Sequence, residues 1–202
     1  EPLSFPDASR GEPWPSWIWV ERRDVPVVRL SRRFELAEAP VTARLFVTCD
    51  NEAELILDGN EVGRNEHWQR PTVLDLTDRL GPGEHRLEFV GSDWGDGSAA
   101  ALVAVLRLEF ADRVEWLVTD EQWEAQPAEA EADARQPASI RGTYGDAPWG
   151  QPHAAMSDSG PSAALLSALA KASHEWTDDD RELPFAVRHQ HGDLPQQRLA
   201  LL

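Results

Sequence analysis

Between Val27 and Thr119, apolar residues recur at every second position. Leu45, Val47 and Cys49 alternate with Arg44, Phe46 and Thr48, and Leu87 and Phe89 alternate with Arg86 and Glu88. Leu102, Ala104, Leu106, Leu108 and Phe110 form a longer series, opposed by Val103, Val105, Arg107 and Glu109. Successive side chains of an extended chain leave opposite faces, so this period predicts half-buried strands. Asp58-Gly59, between Leu55-Ile56-Leu57 and Val62, supplies the positive backbone dihedrals of a tight hairpin. Gly81-Pro82-Gly83 marks another turn. Short strands with a turn signal about every 8 to 12 residues, and no long helix among them, predict an all-β antiparallel sandwich. Leu45, Val47, Leu57, Leu87, Phe89, Leu106 and Leu108 are its expected core.

The pattern changes after Trp123. Residues 126–138 (QPAEAEADARQPA) have no apolar periodicity and read as a solvated loop or linker. Residues 140–149 regain aromatic character and return to the sandwich. Residues 162–173 read as a helix, capped by Ser159 or Ser162, with Leu165, Leu166 and Leu169 as its stripe. The domain reading is therefore a sandwich over 1–150, followed by a short helical and irregular appendage over 151–202 or the start of a next module.

Charge narrows the partners. Against 19 basic residues stand 36 acids, giving a net charge of −17 over 202 residues. Such a surface repels nucleic acid and anionic lipid, and neither is expected as a partner. Lys171 is the lone lysine, a bias that follows from genome composition or a salty habitat. Cys49 is the single cysteine, so no internal disulfide forms, and a small buried hydrophobe is its simplest role. No apolar run approaches the ~18 residues of a membrane span. The chain starts at Glu1 without a basic, apolar leader, which suggests a removed signal or a piece of a longer chain.

Several segments in order carry a resemblance. Trp17-Ile18-Trp19 precedes an arginine-rich strand ending at Phe34. ARLFVTCDNEAELILDGNEVG follows at 43–63, then Trp68, LDLTDRLGPGEHRLEF at 74–89 and SDWGDGSAALVAVLRLEF at 92–110. VTDEQWEA at 118–125 and Ala147-Pro148-Trp149-Gly150 complete the series. This order resembles the galactose-binding-like jelly-roll domain at the N-terminus of bacterial α-L-rhamnosidases. It also resembles related domains in family-two glycosidases and in large secreted multidomain proteins of planctomycete-like bacteria. The resemblance covers about residues 17–150 of this sequence. It implies a non-catalytic, carbohydrate-binding-like accessory module of a larger extracellular or periplasmic protein, whose partner is a carbohydrate or a neighbouring domain of the same polypeptide. A purely structural or protein-interaction sandwich is the alternative, because fold does not fix function. In the resembled glycosidases the catalytic residues belong to a separate barrel, for which this chain has no room.

Candidate chemistry sits in two loops. Asp93, Trp94 and Asp96 lie in a stretch too rich in glycine and aspartate to continue a strand. His67, Trp68, Gln69 and Arg70 lie in another. Carbohydrate sites combine an aromatic platform with a few planar polar groups, so Trp94, Asp93, Asp96, Trp68 and Arg70 are the expected contacts. The same acidic loops, with Asp50 and Asn51, offer oxygen ligands to a structural calcium; no other cofactor is expected. Trp17, Trp19 and Trp123 read as plugs closing the ends of the sandwich. Asp75 to Thr77 and Thr119-Asp120 read as strand-end residues that bond local backbone amides. His189-Gln190-His191 with Asp193 nearby is a weak metal candidate, for which a solvated tail is the simpler reading. No nucleophile elbow, zinc-protease helix or phosphate loop occurs, and C-x-x-C-H haem attachment is absent.

Overall fold

The computed structural model describes residues 5–22, 24–95, 100–131 and 134–152. The chain divides into two units, Glu1–Ala154 and Ala155–Leu202, and the described residues belong to the first. The expected helix at 162–173 and the His189–Asp193 segment lie outside them.

Among the described residues, twelve strands form two six-stranded antiparallel sheets. The first holds β1 (Ser16–Trp19), β3 (Thr42–Asp50), β6 (Thr72–Asp75), β8 (Ala101–Glu109), β9 (Val114–Val118) and β12 (Ser139–Thr143). Its order is β12-β1-β8-β3-β6, with β9 also beside β8. The second holds β2 (Val27–Leu36), β4 (Glu52–Leu57), β5 (Asn60–Asn65), β7 (Gly83–Ser92), β10 (Glu124–Pro127) and β11 (Gln136–Pro137), in the order β11-β10-β2-β7-β4-β5. The all-β sandwich expected from the alternation is thus observed. Among the described residues no helix is long and apolar enough to cross a membrane.

All seven expected core residues are buried between the sheets. Trp19 and Trp123 join them rather than closing the ends. Trp123 stacks on Phe89 with ring centroids 5.3 Å apart, and its indole N–H reaches the Val118 carbonyl at 2.8 Å. Trp19 presses on Gly91, where a Cβ would come within 2.8 Å of the indole, so only glycine fits. The strand-end aspartates act as expected: Asp75 accepts from the Thr77 amide at 3.0 Å, and Asp120 from the Gln122 amide at 2.9 Å.

Two readings are corrected. Trp17 is no end plug: it lies on the outside of the first sheet, in a second apolar layer with Phe46, Val103, Val105, Tyr144 and Trp149. A register shift between Trp17 and Ile18 turns Ile18 and Trp19 inward while Trp17 faces out. The 126–138 stretch is not wholly a linker. Gln126 and Pro127 extend β10 against β2, Gln136 and Pro137 pair with Ala125 and Glu124, and Ala138 donates to the Trp123 carbonyl at 2.7 Å. The inward anchors Trp123 and Ala125 seat this segment, which lacks a visible pattern because its paired pieces are so short.

Candidate functional site

The site is built by two crossings from one sheet to the other at the same end of the sandwich. β3 hands over to β4 through Asn51, and β7 runs out through Asp93, Trp94 and Gly95 before β8 begins in the other sheet. Within the first sheet β3 neighbours β8, with Asp50 opposite Ala101. Within the second β4 neighbours β7, with Glu52 opposite Ser92. The register therefore stacks the two crossings side by side, and the Asn51 amide donates to the Ser92 carbonyl at 2.9 Å. The Asp50–Asn51 peptide is cis.

Polar side chains fasten the crossings together. The Asn51 side-chain oxygen accepts from the Trp94 amide at 2.7 Å, and its nitrogen donates to Asp50 at 3.0 Å. The other Asp50 oxygen accepts from the Trp149 indole at 2.9 Å. Asp93 donates its amide to the Pro26 carbonyl at 2.7 Å and accepts from the Gly95 amide at 3.0 Å. The backbone under Trp94 is thus fixed, while its side chain is 65% exposed, the most exposed large apolar group among the described residues. Burial pushes the Asp50 carboxyl above the usual carboxylate range; the Trp149 bond pulls the other way, and nearby Asp93 adds to the rise. Burial also pushes the Cys49 thiol well up, which leaves it protonated and no nucleophile.

The sequence-predicted residues separate into groups. Asp93 and Trp94 share one rim with Asp50 and Asn51, so the sugar and calcium candidates are a single cluster. Asp96 lies outside the described residues. Trp68 is half-buried against the outer aromatic layer of the first sheet, its carbonyl accepting from the Thr48 hydroxyl at 2.7 Å. Arg70 is exposed in the same loop. Among the described residues no three acidic, histidine or cysteine side chains are grouped to hold a metal ion. Sequence reasoning named Trp149 only as part of the resemblance and not as a site residue, yet it closes the rim onto Asp50. A cavity of about 390 Å³ beside β10 and β11 is lined by Val20, Val25, Ala125 and Pro137 among others, with no aromatic side chain. It lacks the platform a sugar needs.

Trp94 and the carboxylates of Asp50 and Asp93 can do one thing well. The indole offers an apolar face to the C–H side of a pyranose, while the carboxylates accept from vicinal hydroxyls.

No protein-family model matches the chain. It is 27% identical over 157 residues to an α-L-rhamnosidase of Streptomyces avermitilis, a match covering 67% of this chain and 15% of that enzyme. The crystal structure of the S. avermitilis α-L-rhamnosidase complexed with L-rhamnose superposes with a TM-score of 0.61 at 25% identity, over 68% of this chain and 15% of that one. A lectin of Pleurotus ostreatus shares the fold with a TM-score of 0.61 at 20% identity, over 69% of this chain and 44% of that one. The same lectin in complex with GalNAc gives 0.58 at 21%, over 69% and 45%. The chain thus holds a rhamnosidase-like β-sandwich domain that spans about 15% of the rhamnosidase it matches.

Proposed function

We propose that this chain is a non-catalytic carbohydrate-binding module, a jelly roll of the galactose-binding-like type, that serves a larger exported protein. One observation carries the reading: an exposed tryptophan, held by its backbone beside two carboxylates, at the rim of a sandwich similar to a rhamnosidase domain and sharing its fold with a lectin. The contacts are Trp94, Asp93 and Asp50, with Asn51 and Trp149 holding them in place and Asp96 as a further contact. L-rhamnose is the first ligand to test, because the rhamnosidase relative carries it in its crystal. A role without catalysis fits a match confined to a small share of that enzyme. An extracellular or periplasmic place follows from that role, since polymeric sugars are met there.

A second reading has its own support. Trp17, Trp19, Trp123 and Trp149 are buried, so most of the apolar capital of this domain goes into core, as in a structural or protein-interaction module. A glycan array probed with the full chain, followed by calorimetric titration of L-rhamnose and N-acetylgalactosamine, separates the two. Selective sugar binding supports the module reading; an empty array and flat titrations leave the structural domain. Chromogenic rhamnoside, galactoside and glucuronide are expected to remain intact. Turnover that disappears when Asp50 or Asp93 is replaced would make the chain an enzyme.

A further inference from the structure

Asn65 ends β5, on the strand that leads into the 66–71 loop, and its side chain is almost fully buried. Its amide makes bonds in two directions. The oxygen accepts from the Cys49 amide at 2.9 Å, one residue before Asp50. The nitrogen donates to the Arg70 carbonyl at 2.9 Å, with the His67 carbonyl and the Thr72 hydroxyl oxygen each at 3.3 Å. The Thr72 hydroxyl donates onward to the Arg64 carbonyl at 2.9 Å, which leaves its oxygen free to accept. The orientation of the amide is fixed by chemistry, because a backbone N–H must meet the oxygen and two carbonyls must meet the nitrogen. Asparagine alone suits this position. Aspartate would turn a charge onto two carbonyls, glutamine is a methylene too long, and leucine would leave buried donors and acceptors unpaired.

The groups joined in this way are the rim end of β3 and the loop that carries Trp68 and Arg70. The loop is tied a second time where the Thr48 hydroxyl meets the Trp68 carbonyl. Phe46, Thr48 and Asp50 leave the same face of β3. Trp68 packs in the apolar layer that contains Trp149, and Trp149 bonds Asp50, so the aromatic layer is continuous from the loop to the rim. We infer that Asn65 is a positioning residue that sets the spacing between two walls of one carbohydrate site, the Asp50–Asn51 crossing and the 66–71 loop bearing Trp68 and Arg70. The inference rests on the rim being the carbohydrate site, and it adds a second wall and the side chain that places it.

The test uses the whole chain and L-rhamnose as the probe. In the wild-type protein, amide hydrogen exchange with and without L-rhamnose is expected to show protection at 66–71 together with 50–51 and 93–95. Asn65→Asp is expected to weaken binding about ten-fold or more and to speed exchange at 66–71, with the far-ultraviolet spectrum retained. Thr72→Val removes one acceptor of the Asn65 amide, together with the hydroxyl's own bond to the Arg64 carbonyl, and leaves the Cys49 bond. It is expected to weaken binding about two- to five-fold at a nearly constant melting temperature, and it decides the matter if Asn65→Asp does not fold. If the wild type binds L-rhamnose with protection confined to 50–51 and 93–95, and both variants keep its affinity, Asn65 is a structural hub only and the inference is overturned while the carbohydrate reading stands. If the wild type binds neither L-rhamnose nor any sugar of the array, both fall together.

Discussion

On the outer face of the first sheet, Trp17, Phe46, Val103 and Val105 are fully buried beneath Tyr144 and Trp149, with Phe5 stacked on Tyr144 at 5.2 Å. The outer face of the second sheet carries charge instead. Glu88, 8% exposed, accepts from the guanidiniums of both Arg29 and Arg86, and Arg33 reaches Glu84. One sheet is thus covered on both faces and the other on one. The difference teaches where the rim site gets its rigidity. Asp50 ends the strand covered on both sides, and the residue that clamps it, Trp149, belongs to the covering layer. The polar sheet contributes the other partner, the crossing that presents Trp94.

Breaking the covering layer is expected to have the largest effect. Phe46→Ala or Trp17→Ala removes a large, fully buried side chain and should cost about 3–5 kcal/mol in urea unfolding. A cost below ~1 kcal/mol would mean that the layer is an ornament on the sheet and that the two outer faces are energetically alike.

The charged face is expected to yield less. Glu88→Ala strips the shared acceptor from two guanidiniums that are themselves about a third exposed, their side chains at 34% and 31%. A loss of about 1–2 kcal/mol is expected by the same measurement. Arg33→Ala, in a pair exposed on both sides, should stay within about 0.5 kcal/mol. Equal losses at Glu88 and Phe46 would erase the contrast.

A titration sharpens the comparison at the opposite end of the second sheet. His85 faces Asp58 at 2.7 Å with one ring nitrogen and the Gly81 carbonyl at 2.8 Å with the other. Neither partner has a proton to give, so both bonds are satisfied only when the ring carries two protons, and the pair favours the charged form. Burial opposes that charge and is the largest single influence, yet Asp58 and Gly81 together outweigh it and raise the pKa above its usual 6.5. Glu84 and Arg86 flank it in β7, and Arg33 and Glu35 flank the opposed Phe34 in β2. A raised histidine contributes stability in full below the unfolded pKa, and that contribution is lost as pH rises through the folded value. Unfolding free energy measured from pH 6 to 9 should therefore fall in the wild type relative to His85→Gln. A constant difference between the two across that range would contradict the charged clamp.

How much of this was legible in the sequence follows from what each residue depends on. The inward positions of β3, β7 and β8 announce themselves by alternation, because a core face needs every second residue apolar. Burial on both sides of β8 was also written there: Ala101 to Leu106 is apolar at every position, the mark of a strand with no wet face. Reading only the alternation left Val103 and Val105 half-buried and sent Trp17 to an end. The meeting of Asn51 with Trp94 spans 43 residues and depends on the register of two strand pairs, which no local pattern encodes. Asn65 gave no signal either, since an asparagine ending an edge strand looks the same whether it is solvated or buried among four partners.

The smallest structural change tests the central claim most directly. Trp94→Ala removes an exposed ring whose backbone is held independently by Asn51. L-rhamnose titrated into the wild type should bind weakly, at a Kd of about micromolar to millimolar. In the variant that binding should vanish while the melting temperature, measured on the same samples, stays where it was. Binding that survives the substitution, or a melting temperature that falls by many degrees with it, would contradict the account and place Trp94 in the fold rather than in the site.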